Sequence, residues 1–399
     1  MKEVFPTYTK CLESFLQQNE LNVDIFLRNQ KKLLFPLLDK AYLLELLSKC
    51  EERFKSEPVL LNIRSPIVIV GDIHGQYLDL IRILSDFSLP PTSKYLFLGD
   101  LVDRGEFSIE VTILVCLLKL EFPDHVYIIR GNHEFKELWN MGGFLNEILD
   151  QYDQDVVDAF ESMFSFLPMS AIVNDSIICL HGGICPHIKY REQLESIERP
   201  IFTFDDKRIA GILWSDPTAS NPFYTQSQRG VGVYYGETAL SQFLSAHNLK
   251  FLIRGHQCVQ GVEITLNGLC HTVFSASNYC GKTRNKGGVI FIDKQGYMLT
   301  TFYEPMSLLL RTAADFFYND NGTVIIVKGK TSSRTNIEQV PQFTDRLPQI
   351  ANKSGANQVT TECVQVGYFE KRRVKFSSSR KSINPKKNPA PIVAPANSV

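Results

Sequence analysis

The 399-residue chain is 44% hydrophobic and 21% charged, which supplies a sizeable core and excludes a fibrous or wholly disordered protein. Its 42 basic and 43 acidic residues leave a net charge of −1, so no overall bias points to nucleic acid or to an anionic membrane surface. The balance is uneven: residues 370–399 hold eight Lys or Arg and one Glu, a basic tail on an acidic body.

Nine cysteines without a CxxC spacing suit a reducing compartment and predict no disulfides. No apolar run approaches the ~20 residues of a membrane helix. A soluble cytoplasmic or nuclear protein is expected. In chain order, Leu21 to Ser56 carries apolar residues at spacings of three and four and predicts helices, broken at Pro36. After Pro58 come short apolar runs rich in β-branched and aromatic residues: Ile67–Val70, Tyr95–Leu98, Val126–Ile129, Ile177–Leu180, Phe251–Ile253 and Thr272–Phe274. They predict strands buried on both faces. Ser108 to Leu120 reads as an intervening helix, so the class is α/β. Met306 to Phe317 predicts one more helix and Thr323 to Val327 one more strand. Beyond residue 350 the chain turns rich in Asn, Ser, Pro and Lys, the composition of a disordered tail.

Each apolar run is followed by a polar cluster: GDIHGQ at Gly71, GDLVDRG at Gly99, RGNHE at Arg130, HGG at His181, RGHQ at Arg254 and SASNYCG at Ser275. Open α/β sheets bind ligands beyond the carboxyl ends of their strands, so six such clusters predict one shared site. Asp72, His74, Asp100, Asn132, His181 and His256 form a donor set of oxygens and imidazoles without thiolate, suited to Mn, Fe or Zn. A carboxylate between two cations, with a water made acidic by both, is an arrangement for phosphoester hydrolysis. A single Gly-Asp pair is ordinarily a turn and a single His ordinarily structural. The ordered set is far harder to explain that way.

These blocks, in this order, resemble the phosphoprotein phosphatase family of metal-dependent serine/threonine phosphatases, nearest its type-1 members through NYCG, WSDP at Trp214 and SEPVLL at Ser56. The resemblance spans about residues 10–303. It implies a calcineurin-like metallophosphoesterase fold: two packed mixed β-sheets flanked by helices. It also implies two divalent ions, Mn or else Fe or Zn, on Asp72, His74 and Asp100 and on Asp100, Asn132, His181 and His256, with Asp100 shared. His133 becomes the general acid, Asp103 its orienting partner. Arg104, Arg229 and Asn132 become phosphate ligands, with Tyr279 closing the site. The expected reaction is hydrolysis of phosphoserine and phosphothreonine by activated water, without a covalent intermediate. The implied division is a helical part (1–56), a catalytic core (57–305), an extension (306–349) and the tail (350–399).

The chain departs from the family around the site. Lys282-Thr283-Arg284 and Gln260-Gly261 replace acidic surroundings, and Gly142 takes the place of an aromatic lining the substrate groove. A more positive approach is expected. In the tail, Arg373-Val374-Lys375-Phe376 fits the short docking motif by which regulatory subunits engage type-1 phosphatases, which would permit self-docking. Groove-like positions are Ile177, Leu299 or Thr300, and Phe302, although Lys250 would repel the basic end of the motif. Phosphoprotein substrates and regulatory subunits are the expected partners, with neither membrane nor nucleic acid. The competing readings are a phosphoesterase for dinucleoside polyphosphates and an inactive binding scaffold.

Overall fold

The computed structural model describes residues 7–16, 23–28, 32–320 and 323–330. The docking-like motif Arg373 to Phe376 and the basic tail lie outside the described residues. The strands are β1 Leu33–Pro36, β2 Leu60–Ile63, β3 Ile67–Val70, β4 Tyr95–Phe97, β5 Val126–Ile128, β6 Ser170–Val173, β7 Ile177–Leu180, β8 Asp216–Pro217, β9 Tyr224–Gln226, β10 Val233–Tyr235, β11 Phe251–Arg254, β12 Val262–Thr265, β13 Cys270–Val273, β14 Gly287–Ile292, β15 Met298–Tyr303, β16 Ala314–Asp320 and β17 Thr323–Lys328. The helices are α1 Tyr8–Leu16, α2 Val23–Arg28, α3 Lys40–Ser56, α4 Tyr77–Phe87, α5 Ser108–Glu121, α6 Lys136–Gly142, α7 Phe144–Leu149, α8 Gln154–Ser165, α9 Arg191–Glu195, α10 Lys207–Trp214 and α11 Glu237–Ala246.

Two sheets carry the body, one in the order β15-β14-β3-β4-β5 and the other in the order β12-β13-β11-β7-β6-β2. Both are mixed. β3, β4 and β5 run parallel, as do β7, β11 and β13, while β14 and β12 are antiparallel to their neighbours. Successive strand side chains point to opposite faces. Ile67, Ile69, Leu96, Leu98 and Ile129 therefore pack in one cluster with Ala171, Val173, Cys179 and Ile253 of the other sheet. The alternate residues Val68, Val70, Tyr95 and Phe97 pack in a second cluster with α3, α4, α5 and α8. Leu60, Ile172, Ile178 and Leu252 do the same with α10 and α11. The result is helices, sheet, sheet, helices, as the α/β reading expected. Helix α5 is buried from Ser108 to Lys119, which explains why its sequence is apolar all round.

Two predicted helices are corrected. Leu33 to Pro36 is the strand β1, with Leu33 and Phe35 buried and Leu34 exposed, pairing in parallel with β16. The segment predicted as a helix from Met306 to Phe317 contains instead a 3-10 turn, Arg311–Ala313, followed by β16. Both strands were hidden for one reason: short apolar runs satisfy helical and strand spacing alike, and the choice was made by a partner far away in sequence. The strand at 323–328 occurs as predicted and closes a three-stranded sheet in the order β1-β16-β17.

Candidate metal centre and active site

The parallel strands β3, β4 and β5 end side by side, bringing Asp72 and His74, then Asp100, Asp103 and Arg104, then Asn132 and His133 to one edge. From the other sheet β7 delivers His181 and β11 delivers His256. The connecting loops turn sharply. His74, Asp100, Asp103, Arg104 and His256 all have φ between 47° and 70°, the left-handed region. For residues other than glycine this strain runs to about 1–3 kcal/mol each and concentrates at functional sites. Surrounding bonds enforce it: the Ile73 and His74 amides both donate to the Asp100 carbonyl, at 3.0 and 2.9 Å.

All six predicted ligands converge. His74 Nε2 stands 3.5 Å from Asp100 Oδ2 and 3.8 Å from Asp72 Oδ2. These gaps are too long for hydrogen bonds and close to the roughly 3–3.5 Å that separates ligand atoms sharing one cation. On the other side Asn132 Oδ1 lies 2.8 Å from both His181 Nε2 and His256 Nδ1, and Asp100 Oδ1 is 3.4 Å from His181 Nε2. Asp100 thus presents one oxygen to each cluster. His74 Nδ1 lies 2.8 Å from the Val102 carbonyl and His181 Nδ1 2.8 Å from the Leu98 carbonyl. A carbonyl only accepts, so each ring carries a proton on Nδ1 and turns Nε2 inward, the orientation of metal-binding imidazoles.

Two further observations fit cations. Asp72 Oδ2 is buried with no hydrogen-bond partner, although Oδ1 accepts from the His256 amide at 2.9 Å. Burial and the Asp100 charge push the Asp72 carboxyl up to about 7. Burial would raise Asp100 as well, but His181, His133 and His74 hold it well below the usual carboxylate range. Facing carboxylates are stabilised by positive charge placed between them. The two clusters His74, Asp100, His133 and Asp100, His181, His256 each bring their ligand atoms within 4.8 Å of one another.

His133 differs from the other imidazoles. Its Nδ1 lies 2.7 Å from Asp103 Oδ2, and its amide donates to Asp100 Oδ1 at 2.9 Å. Burial alone would lower its pKa, but the Asp100 and Asp103 carboxylates hold it above the ordinary histidine value. Asp103 is itself fixed, accepting the Phe144 amide on Oδ1 at 3.0 Å while its own amide donates to Ser108 Oγ at 3.2 Å. Gly142 is buried beneath this carboxylate, where a Cβ would fall 1.9 Å from Asp103 Cγ. The expectation that Gly142 reshapes an approach groove is therefore corrected: it makes room for Asp103. Arg229 is anchored through Nε to Asp216 Oδ2 at 2.6 Å, and Arg254 binds Asp216 Oδ1 at 2.8 Å. The Arg229 charge acts on His256 and the Arg104 charge on His74 and His133, so each guanidinium lies near imidazoles of the site. The Tyr279 ring packs 5.0 Å from His74.

Sequence reasoning passed over several supports. Glu134 accepts the amides of Asp100, Leu101 and Gly131 at 2.7–2.8 Å and so shapes the loop holding the shared carboxylate. Trp214 sets its ring 5.4 Å from His256. Asp216 and Arg254 support Arg229. All four lie inside the quoted motifs, and proximity to a ligand was the only signal for them. The docking-like positions are mixed: Leu299 and Phe302 are exposed, whereas Ile177 is buried between the sheets.

Residues 65–260 match the family model of calcineurin-like phosphoesterases. A solved protein serine/threonine phosphatase from Saccharomyces cerevisiae, described as similar to human phosphatase PP5, is 28% identical over 81% of this chain and 97% of its own, with a TM-score of 0.63. The cold-active protein-tyrosine phosphatase of a psychrophilic Shewanella is 17% identical over 65% of this chain and 84% of its own, with a TM-score of 0.44. Every predicted metal ligand, from Asp72 to His256, falls within the matched residues. Residues 65–260 therefore carry a calcineurin-like phosphoesterase domain, which supports a phosphoester hydrolase, and its clustered carboxylates and imidazoles are groups that could hold metal ions.

Proposed function

We propose that this protein is a serine/threonine phosphatase, hydrolysing phosphoserine and phosphothreonine in proteins. The observation that carries the reading is the His133–Asp103 pair beside the two donor clusters. A serine alkoxide is a poor leaving group and needs a proton, and an imidazole held by a buried carboxylate that raises its proton affinity is the group to supply it. Nucleotide leaving groups need far less of this help.

Asp72, His74 and Asp100 would hold one cation, and Asp100, Asn132, His181 and His256 the other. Bound there, divalent ions acidify water and polarise a phosphoryl oxygen. Arg104 and Arg229 face the phosphoryl group from two sides, their planar donors matched to its oxygens. Asp216 fixes the direction of Arg229, and Tyr279 walls the pocket over His74. Lys282 and Arg284 are exposed on the loop that follows Tyr279, which favours phosphosites flanked by acidic residues.

The full chain, supplied with Mn, is assayed on a phosphoserine peptide, a phosphothreonine peptide and a dinucleoside tetraphosphate. Turnover of the peptides with little on the dinucleotide supports the reading. The reverse preference rejects it in favour of a nucleotide phosphoesterase, and no turnover of any substrate leaves the binding-scaffold alternative.

A further inference from the structure

One buried cation lies beneath the active site and belongs to none of the strand-end motifs. Arg311 is 5% exposed and opens the 3-10 turn ahead of β16. Its guanidinium enters a pocket lined by three buried glutamates. Nη2 donates to Glu110 Oε1 at 2.7 Å, and Nη1 reaches Glu110 Oε2 at 3.1 Å, Glu147 Oε1 at 3.2 Å and the Glu106 carbonyl at 2.6 Å. The guanidinium also lies over the Phe316 ring at 4.6 Å, so the extension seats it from behind.

Glu147 connects this arginine to the site. Its carboxylate accepts the Ser108 and Ile109 amides, at 3.1 and 2.8 Å, at the first turn of α5. It also belongs to α7, whose first residue, Phe144, donates its amide to Asp103 Oδ1. Ser108 accepts from the Asp103 amide through Oγ. Arg311 therefore binds the group that ties together the two helix starts gripping Asp103, and Asp103 grips His133. Without the guanidinium, the buried Glu110 and Glu147 carboxylates would lose the cation they share, which is strongly unfavourable.

Building on the phosphatase reading, we propose that Arg311 is a positioning residue for the His133–Asp103 pair, so that the segment from 306 to 330 works as part of the catalytic apparatus. A purely structural arginine would, on removal, lower the amount of folded enzyme and affect all substrates alike. A positioning role predicts selectivity for reactions that need a proton on the leaving group.

The test compares wild type, Arg311→Met and Arg311→Lys in the full chain with Mn, with kcat normalised to folded, metal-loaded protein. The substrates are a phosphoserine peptide, whose leaving group needs a proton, and p-nitrophenyl phosphate, whose leaving group does not. For Arg311→Met we expect kcat on the peptide to fall roughly tenfold or more, under about twofold loss on p-nitrophenyl phosphate, and little change in KM. Arg311→Lys should restore part of the peptide activity. Equal losses on both substrates, or no loss on either, overturn the proposal. If Arg311→Met does not fold, Glu147→Gln must give the same split between substrates, and its failure to do so is equally decisive. Inactivity of the wild type on both substrates would reject the phosphatase reading, whereas an active wild type without a split in the variants rejects only the role of Arg311.

Discussion

The five-stranded sheet sends Asp72, His74, Asp100, Asn132 and the His133–Asp103 pair to the site; the six-stranded sheet sends His181 and His256, with Asp216 and Arg229 held beside them. The first group consists of carboxylates, imidazoles and the Asn132 amide, buried almost completely. The second pairs imidazoles with guanidinium groups, and His256 remains partly exposed. One side thus concentrates negative charge and proton-transfer groups, with Arg104 as its cation, while the other sets Arg229 and Arg254 beside its imidazoles. Asp100 faces both, Oδ2 toward His74 of its own sheet and Oδ1 toward His181 of the other. The site therefore depends on the register between sheets, which the apolar layer of Ile69, Leu96, Cys179 and Ile253 maintains.

The sharpest way to break this division is at the shared group. Asp100→Asn should lower kcat/KM at least about a thousandfold and reduce bound metal as measured by elemental analysis. Retention of both metals with near-normal rates would mean that the two clusters do not share a carboxylate. Next in size, His133→Asn should cost roughly a hundredfold in kcat on a phosphoserine peptide while the metal content stays intact. A loss of metal in parallel would reassign His133 as a ligand. On the six-stranded side, Asp216→Asn should raise KM for phosphopeptides about tenfold with a smaller change in kcat, because Arg229 loses its anchor. Steady-state kinetics separates the two parameters.

The smallest effect concerns stability alone. Asp79 on α4 accepts the Ser277 amide through Oδ2 at 2.8 Å, joining the loops of the two sheets, while its Oδ1 is buried without a partner. Burial pushes its carboxyl from 3.8 up to about 6. Between those values the folded state holds the proton more tightly than the unfolded chain does, so this group's contribution weakens as pH rises through about 6. Asp79→Asn should therefore stabilise the protein by about 1–3 kcal/mol at pH 7, with the gain fading toward pH 4 in urea titrations. A gain that does not vary with pH would show that Asp79 is not the titrating group.

Most of the site was legible because its ligands directly follow apolar strands. Ile67–Val70 announces a buried strand, and Asp72 and His74 stand where a strand end can offer them. The same logic located His181 and His256. What escaped was whatever depends on contacts distant in sequence. Arg311 is one basic residue in an undistinguished stretch, and its glutamates lie up to about 200 positions earlier. Glu134 acts by collecting backbone amides, which leave no mark in a sequence. β1 and β16 each read as helix until the pairing between them was visible.

The left-handed backbone at His74, Asp100, Asp103, Arg104 and His256 governs how these positions can be probed. Aspartate, asparagine and histidine tolerate that conformation better than alanine does, and glycine adopts it freely. An alanine scan would mix lost chemistry with refolded loops and overstate every residue. Asparagine and glycine replacements, compared side by side, separate the two contributions, and Arg104, the one long side chain among the five, is where the scan would mislead most.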